Sequence, residues 1–182
     1  MPVSLVWPFY AACDPLVSVE KHYYDVKGRT EVEIRKSLDA NTPVLHNGKK
    51  FDAYTRWHVH WNFWWNESGN SCAITRVRVS ADIRVTLPRL SESPAVPNAL
   101  IKKWNLYMVA LQRHEDGHKS IGVKAAGEIE KQIKNISPGR SCEKLKIDAN
   151  RLAHSILETY RRLEINYDRR THHGMKDGAI FP

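Results

Sequence analysis

The residues with the clearest chemical potential are His114-Glu115-Asp116-Gly117-His118. Residues i and i+4 lie on one face of a helix, roughly 5–6 Å apart at Cβ, so two imidazoles with this spacing can bind one tetrahedral zinc ion. Glu115 follows the first histidine and can reach a water molecule at the metal without taking a coordination position, the placement known for metalloproteases. The pattern therefore predicts a zinc site on a helix, with Glu115 as general base.

The helical register indicates that both histidines face the interior. They continue an apolar stripe that runs from Leu111 to Ile121. Burying two imidazoles is costly unless they are hydrogen-bonded or bound to a metal, so the alternative is a pair of hydrogen-bonded core histidines. Gly117 in the middle of the helix costs ~1 kcal/mol relative to Ala. A close approach of backbone to the helix at this position can explain the glycine, and so can packing that is unrelated to function.

A catalytic zinc ion usually has three protein ligands and one water molecule, so a third ligand is expected. Near the C-terminus the candidates are His172 and His173, with Asp168 as a ligand or as the partner of a histidine N–H. His58 and His60 are a rival pair on one strand face, where the neighbouring Arg and Asn residues favour a solvated or cleft-lining role. Acidic candidates with weaker support are Glu128, Glu143 and Glu164.

Composition limits the classes of partner. The 182 residues carry a formal net charge of +8, but basic residues are interleaved with acidic ones, so no nucleic-acid partner is predicted. No apolar run approaches the ~20 residues that span a bilayer. None of the three cysteines, Cys13, Cys72 and Cys142, belongs to a CxxC pair, which excludes a cysteine zinc knuckle. Their spacing leaves a Cys72–Cys142 disulfide and two free thiols equally open.

Residues 22 to 90 favour strands. Tyr23–Val26 is predicted as a short strand, and Arg29–Asn41 as a helix with Thr30 and Glu33 in capping-box spacing. From Tyr54 the alternation becomes strict, which predicts an antiparallel hairpin with one buried face, ended by Pro88. The inward side chains of its second strand are predicted to be Val77, Val79, Ala81, Ile83, Val85 and Leu87.

After Pro97 the apolar period becomes helical. One helix is predicted to stop at Pro138-Gly139, and a second follows Ser141 with Leu163 and Tyr167 on its inward face. The fold class is therefore α+β, an antiparallel sheet packed with two long helices.

Three segments are predicted along the chain. They are an N-terminal arm or signal remnant at 1–21, a single domain at 22–174 and a C-terminal tail at 175–182, with irregular structure from Arg169 onward. The apolar stretch Val3–Ala12 has no positively charged residue before it, so an export signal is not clear.

The chain resembles a family of bacterial predicted secreted zinc-dependent proteases, long classed as a domain of unknown function. The matching residues run from about 23 to 174. They are Tyr24-Asp25-Val26 with Gly28 and Thr30, Trp57, Trp61, Cys72, Leu87-Pro88, Arg113-His114-Glu115 with Gly117-His118, Cys142, and Tyr167-Asp168 with Thr171 and His173-Gly174. The resemblance implies a zincin-like metallopeptidase in the periplasm or outside the cell, acting on a peptide or protein substrate. It also implies His173 as the third ligand and a Cys72–Cys142 bridge.

The expected mechanism is metal-assisted hydrolysis. Zinc on His114, His118 and His173 lowers the pKa of its water toward ~7, and Glu115 takes the proton and passes it to the leaving amine. An oxyanion needs a further donor, for which the candidates are Tyr167 and His172. Two other hypotheses stay open: a cell-envelope binding module with a structural zinc, and a zinc amidase or esterase acting on cell-wall fragments.

Overall fold

The computed structural model describes residues 14–46, 48–91 and 96–182. The described elements are, in order, β1 (Leu16–Val26), α1 (Glu31–Asn41), β2 (Leu45–His46), β3 (Lys49–Lys50), β4 (Tyr54–Ser68), β5 (Ser71–Leu90), α2 (Asn98–Lys134), α3 (Cys142–Thr171) and a short 3₁₀ turn at Met175–Asp177. The class is α+β, as predicted, whereas the zincin-like architecture stays a prediction. Cys13 and the apolar stretch Val3–Ala12 lie outside the described residues.

The predicted hairpin forms from β4 and β5. Trp57 pairs with Ile83 and Trp61 with Val79 in antiparallel register, and the six predicted inward residues of β5 are all buried. The alternation produces this arrangement because successive side chains of a strand point to opposite faces of the sheet. A register shift between Trp64 and Trp65 interrupts the ladder near the turn.

The sheet is mixed, so the prediction of an antiparallel sheet is wrong. Its strand order is β1-β5-β4, and β1 runs parallel to β5, from Leu16 opposite Ser80 to Val26 opposite Leu90. Alternation reports which face of a strand is buried, but not which direction its neighbour runs. Pro88 also does not end β5, because two further residues pair with β1. Moreover, β1 begins seven residues before the predicted Tyr23 and takes part of the 1–21 segment into the sheet.

The two long helices form where the apolar period predicts them. α2 lies against the inward face of the sheet, and Leu100, Trp104 and Ile129 are buried in the common core. α3 packs on α2, and its Ala149 and Ala153 are buried in the same core. Leu163, predicted to face inward, is exposed instead.

The predicted capping signal at the start of α1 is confirmed. The Thr30 side chain accepts a hydrogen bond from the Glu33 N–H, which caps α1 as the capping-box spacing predicts. Ser141 caps α3 in the same way, by accepting from the Lys144 N–H.

The disulfide joins Cys72 near the start of β5 to Cys142, the first residue of α3. It therefore ties the sheet to the second long helix.

The chain beyond α3 is built into the domain. α3 continues to Thr171, so the prediction of irregular structure from Arg169 is wrong by three residues. After the 3₁₀ turn, Ala179 and Phe181 return to the core, and the Phe181 ring lies 5.7 Å from Trp104 and 5.4 Å from Tyr107. The burial of this aromatic side chain stabilises the packing of residues 175–182 against the core, although this segment was predicted to be a tail.

Candidate metal centre and cleft

The two motif histidines converge on α2. His114 and His118 are buried, and their Nε2 atoms lie 3.2 Å apart. Their Cβ atoms share one face of the helix because the residues are four apart, as the motif predicts. That face packs against the C-terminal part of α3, so the surroundings of the histidines depend on the contact between the two helices.

α3 supplies a third potential ligand, Asp168. One atom of its carboxylate, Oδ1, lies 3.2 Å from His114 Nε2 and 3.0 Å from His118 Nε2. Ligands about 2.0–2.1 Å from a tetrahedral zinc ion lie about 3.3–3.4 Å from one another, so the three atoms have nearly the spacing of a metal's coordination shell. These residues are the one group of three or more metal-binding side chains found among the described parts of the chain.

The electrostatics of the three groups are coupled. Burial raises the pKa of Asp168, but hydrogen bonds from His114 and His118 outweigh it and hold that pKa well below its usual range. Burial lowers the pKa of His118, and its contacts with Asp168 and Glu164 outweigh that effect and raise the pKa to about 9. A proton and a metal ion compete for the same ring nitrogen and carboxylate oxygen atoms. Binding of a cation at this position therefore releases a proton.

Each histidine has a polar neighbour at its other ring nitrogen. Thr171 Oγ1 lies 3.5 Å from His114 Nδ1, and Glu164 Oε1 lies 3.2 Å from His118 Nδ1 without the geometry of a hydrogen bond. Trp57 donates its indole N–H to the same Glu164 oxygen at 3.0 Å. Carboxylates and hydroxyls in such positions orient metal-binding histidines and raise their basicity.

Glu115 lies beside the histidines. It is buried, and the hydroxyl of Thr55 on β4 donates to its Oε2 at 2.6 Å. Burial raises the pKa of Glu115, partly opposed by the Thr55 hydrogen bond and by the two neighbouring histidines. Sequence reasoning missed Thr55, although a signal existed: it is a polar residue at an inward position of an otherwise apolar alternation.

Tyr167 lies behind His114 and does not line the cleft. Its ring stacks on the His114 ring at 5.0 Å, and its hydroxyl donates to the His114 carbonyl at 3.3 Å. A Cβ at Gly117 would lie only 2.2 Å from the Tyr167 hydroxyl oxygen. The mid-helix glycine is therefore explained by the close approach of this ring.

The predicted third ligand, His173, lies at the edge of the centre. Its ring is exposed and packs on Phe51 at 4.8 Å, and its Nδ1 is 3.5 Å from Asp168 Oδ1. The structure brings Asp168 together with the two motif histidines. The sequence had left Asp168 open as a metal ligand or as the partner of a histidine N–H. His173 as a ligand stays a prediction, and His172 is an exposed cap residue in left-handed conformation.

The remaining candidates lie apart from this centre. His58 and His60 are on the solvent face of β4, where His60 is 3.3 Å from Asp82. Glu128 accepts a hydrogen bond from Gln132, and Glu143 is in the exposed first turn of α3. Glu164 was a weak candidate, but its spacing of four residues from Asp168 puts both carboxylates on one face of α3.

The centre opens into a cleft of about 810 Å³. One side is β4 with the residues just before it, the floor is α2, and the other side is α3 with the C-terminal segment. His114, His118, Glu115, Asp168 and His173 all line it. In the described parts of the chain, no helix is both long and apolar enough to cross a membrane.

Fold and site together define an α+β protein with a buried candidate metal centre, formed by two histidines and one carboxylate at the floor of a cleft. The chain matches the family described as "Bacterial protein of unknown function (DUF922)" over residues 21–174 and belongs to that family. No curated protein and no solved structure matches it.

Proposed function

We propose that this protein is a zinc-dependent peptidase that hydrolyses peptide or protein substrates outside the cytoplasm. The observation that carries the proposal is the convergence of His114, His118 and Asp168 at the floor of the cleft, with Glu115 beside them. Two imidazoles and a carboxylate are a donor set that suits zinc. Bound there, zinc supplies a Lewis acid that makes water a nucleophile near neutral pH.

Glu115 is the proposed general base. The Thr55 hydroxyl donates a hydrogen bond to one oxygen of its carboxylate, which fixes the position of the side chain in the cleft. Its pKa, raised by burial, is closer to the working pH than that of a solvated carboxylate. The carboxylate can therefore accept a proton from water and deliver it to a leaving amine.

The position of β4 in the sheet supports a peptide substrate. Among the described residues β4 is the last strand in the order β1-β5-β4, and its residues Thr55, Arg56 and Trp57 line the cleft. An extended peptide that lies along such a strand gains main-chain hydrogen bonds whatever its side chains are. A compact ester or amide would not use that strand, so this feature favours a peptidase over the amidase and esterase alternative.

The proposed location rests on the disulfide. A Cys72–Cys142 bond persists in oxidising compartments, and membership of a bacterial family is compatible with such a location. Tyr167 and His172, the predicted oxyanion donors, do not line the cleft, so we do not include them in the mechanism.

Metal content tests the centre. Elemental analysis of the purified protein is expected to find about one zinc per chain, with large losses in His114→Ala and Asp168→Asn. His60→Ala is the matched control, because that histidine is exposed on the far face of the sheet. A loss in His173→Ala as large as that in Asp168→Asn would identify His173 as a ligand. No zinc in the wild type after incubation with the metal would overturn the proposal.

Activity tests the chemistry separately. Quenched fluorescent peptides should be cleaved by the zinc-loaded wild type, and Glu115→Gln should keep its zinc while turnover falls at least 100-fold. Full activity in Glu115→Gln would refute the base assignment. Zinc binding without cleavage of any peptide or casein would favour the binding-module hypothesis.

A further inference from the structure

The cleft has an apolar end that the fold leaves uncovered. Three apolar side chains line the cleft and remain exposed. They are Ile165 of α3, which is 58% exposed, and Met175 and Ile180 of the C-terminal segment, which are 52% and 54% exposed. These three residues, called the apolar wall below, come from two separate parts of the chain. Single exposed aliphatic residues are ordinary, but several that meet in one cleft form a patch that an apolar ligand can cover.

The wall is held in position by buried neighbours. Ala179 and Phe181 flank Ile180 and are both buried in the core, so the residue between them is directed into the cleft. The Ala179 N–H donates to the Gly174 carbonyl at 3.0 Å, and Gly174 has a positive φ of 81° that suits glycine. Ile180 is therefore presented by an anchored segment, although its own side chain contributes little to the core.

The wall adjoins the candidate metal centre. Ile165 is three residues before Asp168 on α3, and Met175 follows His173 by two. β4 also lines the cleft, to which it contributes the exposed polar residues Tyr54 and Arg56. A peptide that follows β4 past the centre would have its side chains alternate between solvent and the cleft.

We propose that the apolar wall is a specificity subsite for a large aliphatic or aromatic side chain of the substrate, close to the bond that is cleaved. The inference rests on the proposed peptidase function and adds a substrate class to it. A side chain that fills the subsite leaves water and covers Ile165, Met175 and Ile180. Short polar side chains gain nothing there, so discrimination arises in binding.

Peptide binding to the Glu115→Gln protein, loaded with zinc, tests the proposal without turnover. Fluorescence anisotropy would compare peptides that are identical except for Leu, Phe, Ser or Asp at one position, scanned along the peptide. We expect one position at which Leu and Phe bind at least tenfold more tightly than Ser and Asp. In the same background, Ile180→Ser should reduce that ratio below threefold.

Leu106→Ser is the matched control. Leu106 is 73% exposed on α2 and does not line the cleft, so this variant should keep the full ratio. Melting temperatures should fall only slightly and to a similar extent in both Ser variants, because both side chains are mostly exposed and Ser is a weaker helix former than Leu. A fall in the ratio in Ile180→Ser alone separates recognition from folding.

The outcomes distinguish this inference from the peptidase proposal. Equal binding of all peptides, or a ratio unaffected by Ile180→Ser, overturns the subsite even if the wild type cleaves peptides. Apolar selectivity that Ile180→Ser abolishes supports the subsite, and it does so even if no cleavage is found and the peptidase proposal fails. Absence of binding by any peptide overturns the subsite, and it overturns the peptidase proposal as well if the wild type cleaves none of these peptides.

Discussion

Replacing Gly117 by Ala tests how the second long helix supports the candidate metal centre. An added Cβ would lie 2.2 Å from the Tyr167 hydroxyl oxygen and 2.4 Å from its Cζ, so the ring must move by more than about 1 Å to restore ordinary contact. Ala favours a helix over Gly by ~1 kcal/mol, whereas overpacking costs about 1–3 kcal/mol. We therefore expect the free energy of unfolding to fall by about 1 kcal/mol.

Gly127 on the same helix provides the matched control. A Cβ there meets nothing within 4 Å, so Gly127→Ala should raise the free energy of unfolding by about 0.5–1 kcal/mol. The two substitutions are chemically identical, and the structure predicts effects of opposite sign. Chemical denaturation of the metal-free proteins measures both.

Zinc affinity provides a second measurement. Tyr167 stacks on His114, so displacing it should loosen that ligand and lower the zinc affinity of Gly117→Ala by about 10-fold or more, as for other groups that support a metal ligand. Gly127→Ala should leave the affinity unchanged. Competition with a chromogenic chelator gives both values.

A double-mutant cycle isolates the contact itself. In a Tyr167→Ala background the clash is gone, so Gly117→Ala should stabilise the protein by about as much as Gly127→Ala does. If Gly117→Ala is stabilising in the wild-type background and zinc affinity is unaffected, the reasoning about this contact is wrong.

Three further predictions concern the bridge and the centre. Replacing Cys72 and Cys142 together by Ser removes a link across 70 residues, which should lower the free energy of unfolding by about 4 kcal/mol; a loss below about 1 kcal/mol in urea denaturation would contradict it. Glu164→Gln should weaken zinc binding by about 10- to 100-fold because the carboxylate faces His118, and an unchanged affinity in chelator competition would exclude that support. In metal-free protein, the raised pKa of His118 stabilises the fold fully below pH 6.5, and this contribution is lost as pH rises through about 9. The depressed pKa of Asp168 stabilises above about pH 4 and is lost in more acidic solution, so urea midpoints should decline on both sides and Asp168→Asn should flatten the alkaline decline.

The elements of the fold follow from local patterns. Strict alternation from Tyr54 and the stripe after Pro97 predict β4, β5, α2 and α3, because each pattern reports the buried face of one element. The caps at Thr30 and Ser141 are equally local, since each side chain reaches a backbone N–H three residues away. The direction of β1 does not follow from a local pattern, because its parallel pairing with β5 joins segments about 60 residues apart.

In the candidate site, too, some features follow from a local pattern and others depend on the tertiary structure. The five-residue motif predicts two inward histidines and a neighbouring glutamate, because helical geometry alone puts residues i and i+4 on one face. The convergence of Asp168 on both Nε2 atoms, the Thr55 contact with Glu115 and the return of Phe181 to the core all join distant parts of the chain. Such contacts depend on how the helices and the sheet pack against one another, which no pattern within one element encodes.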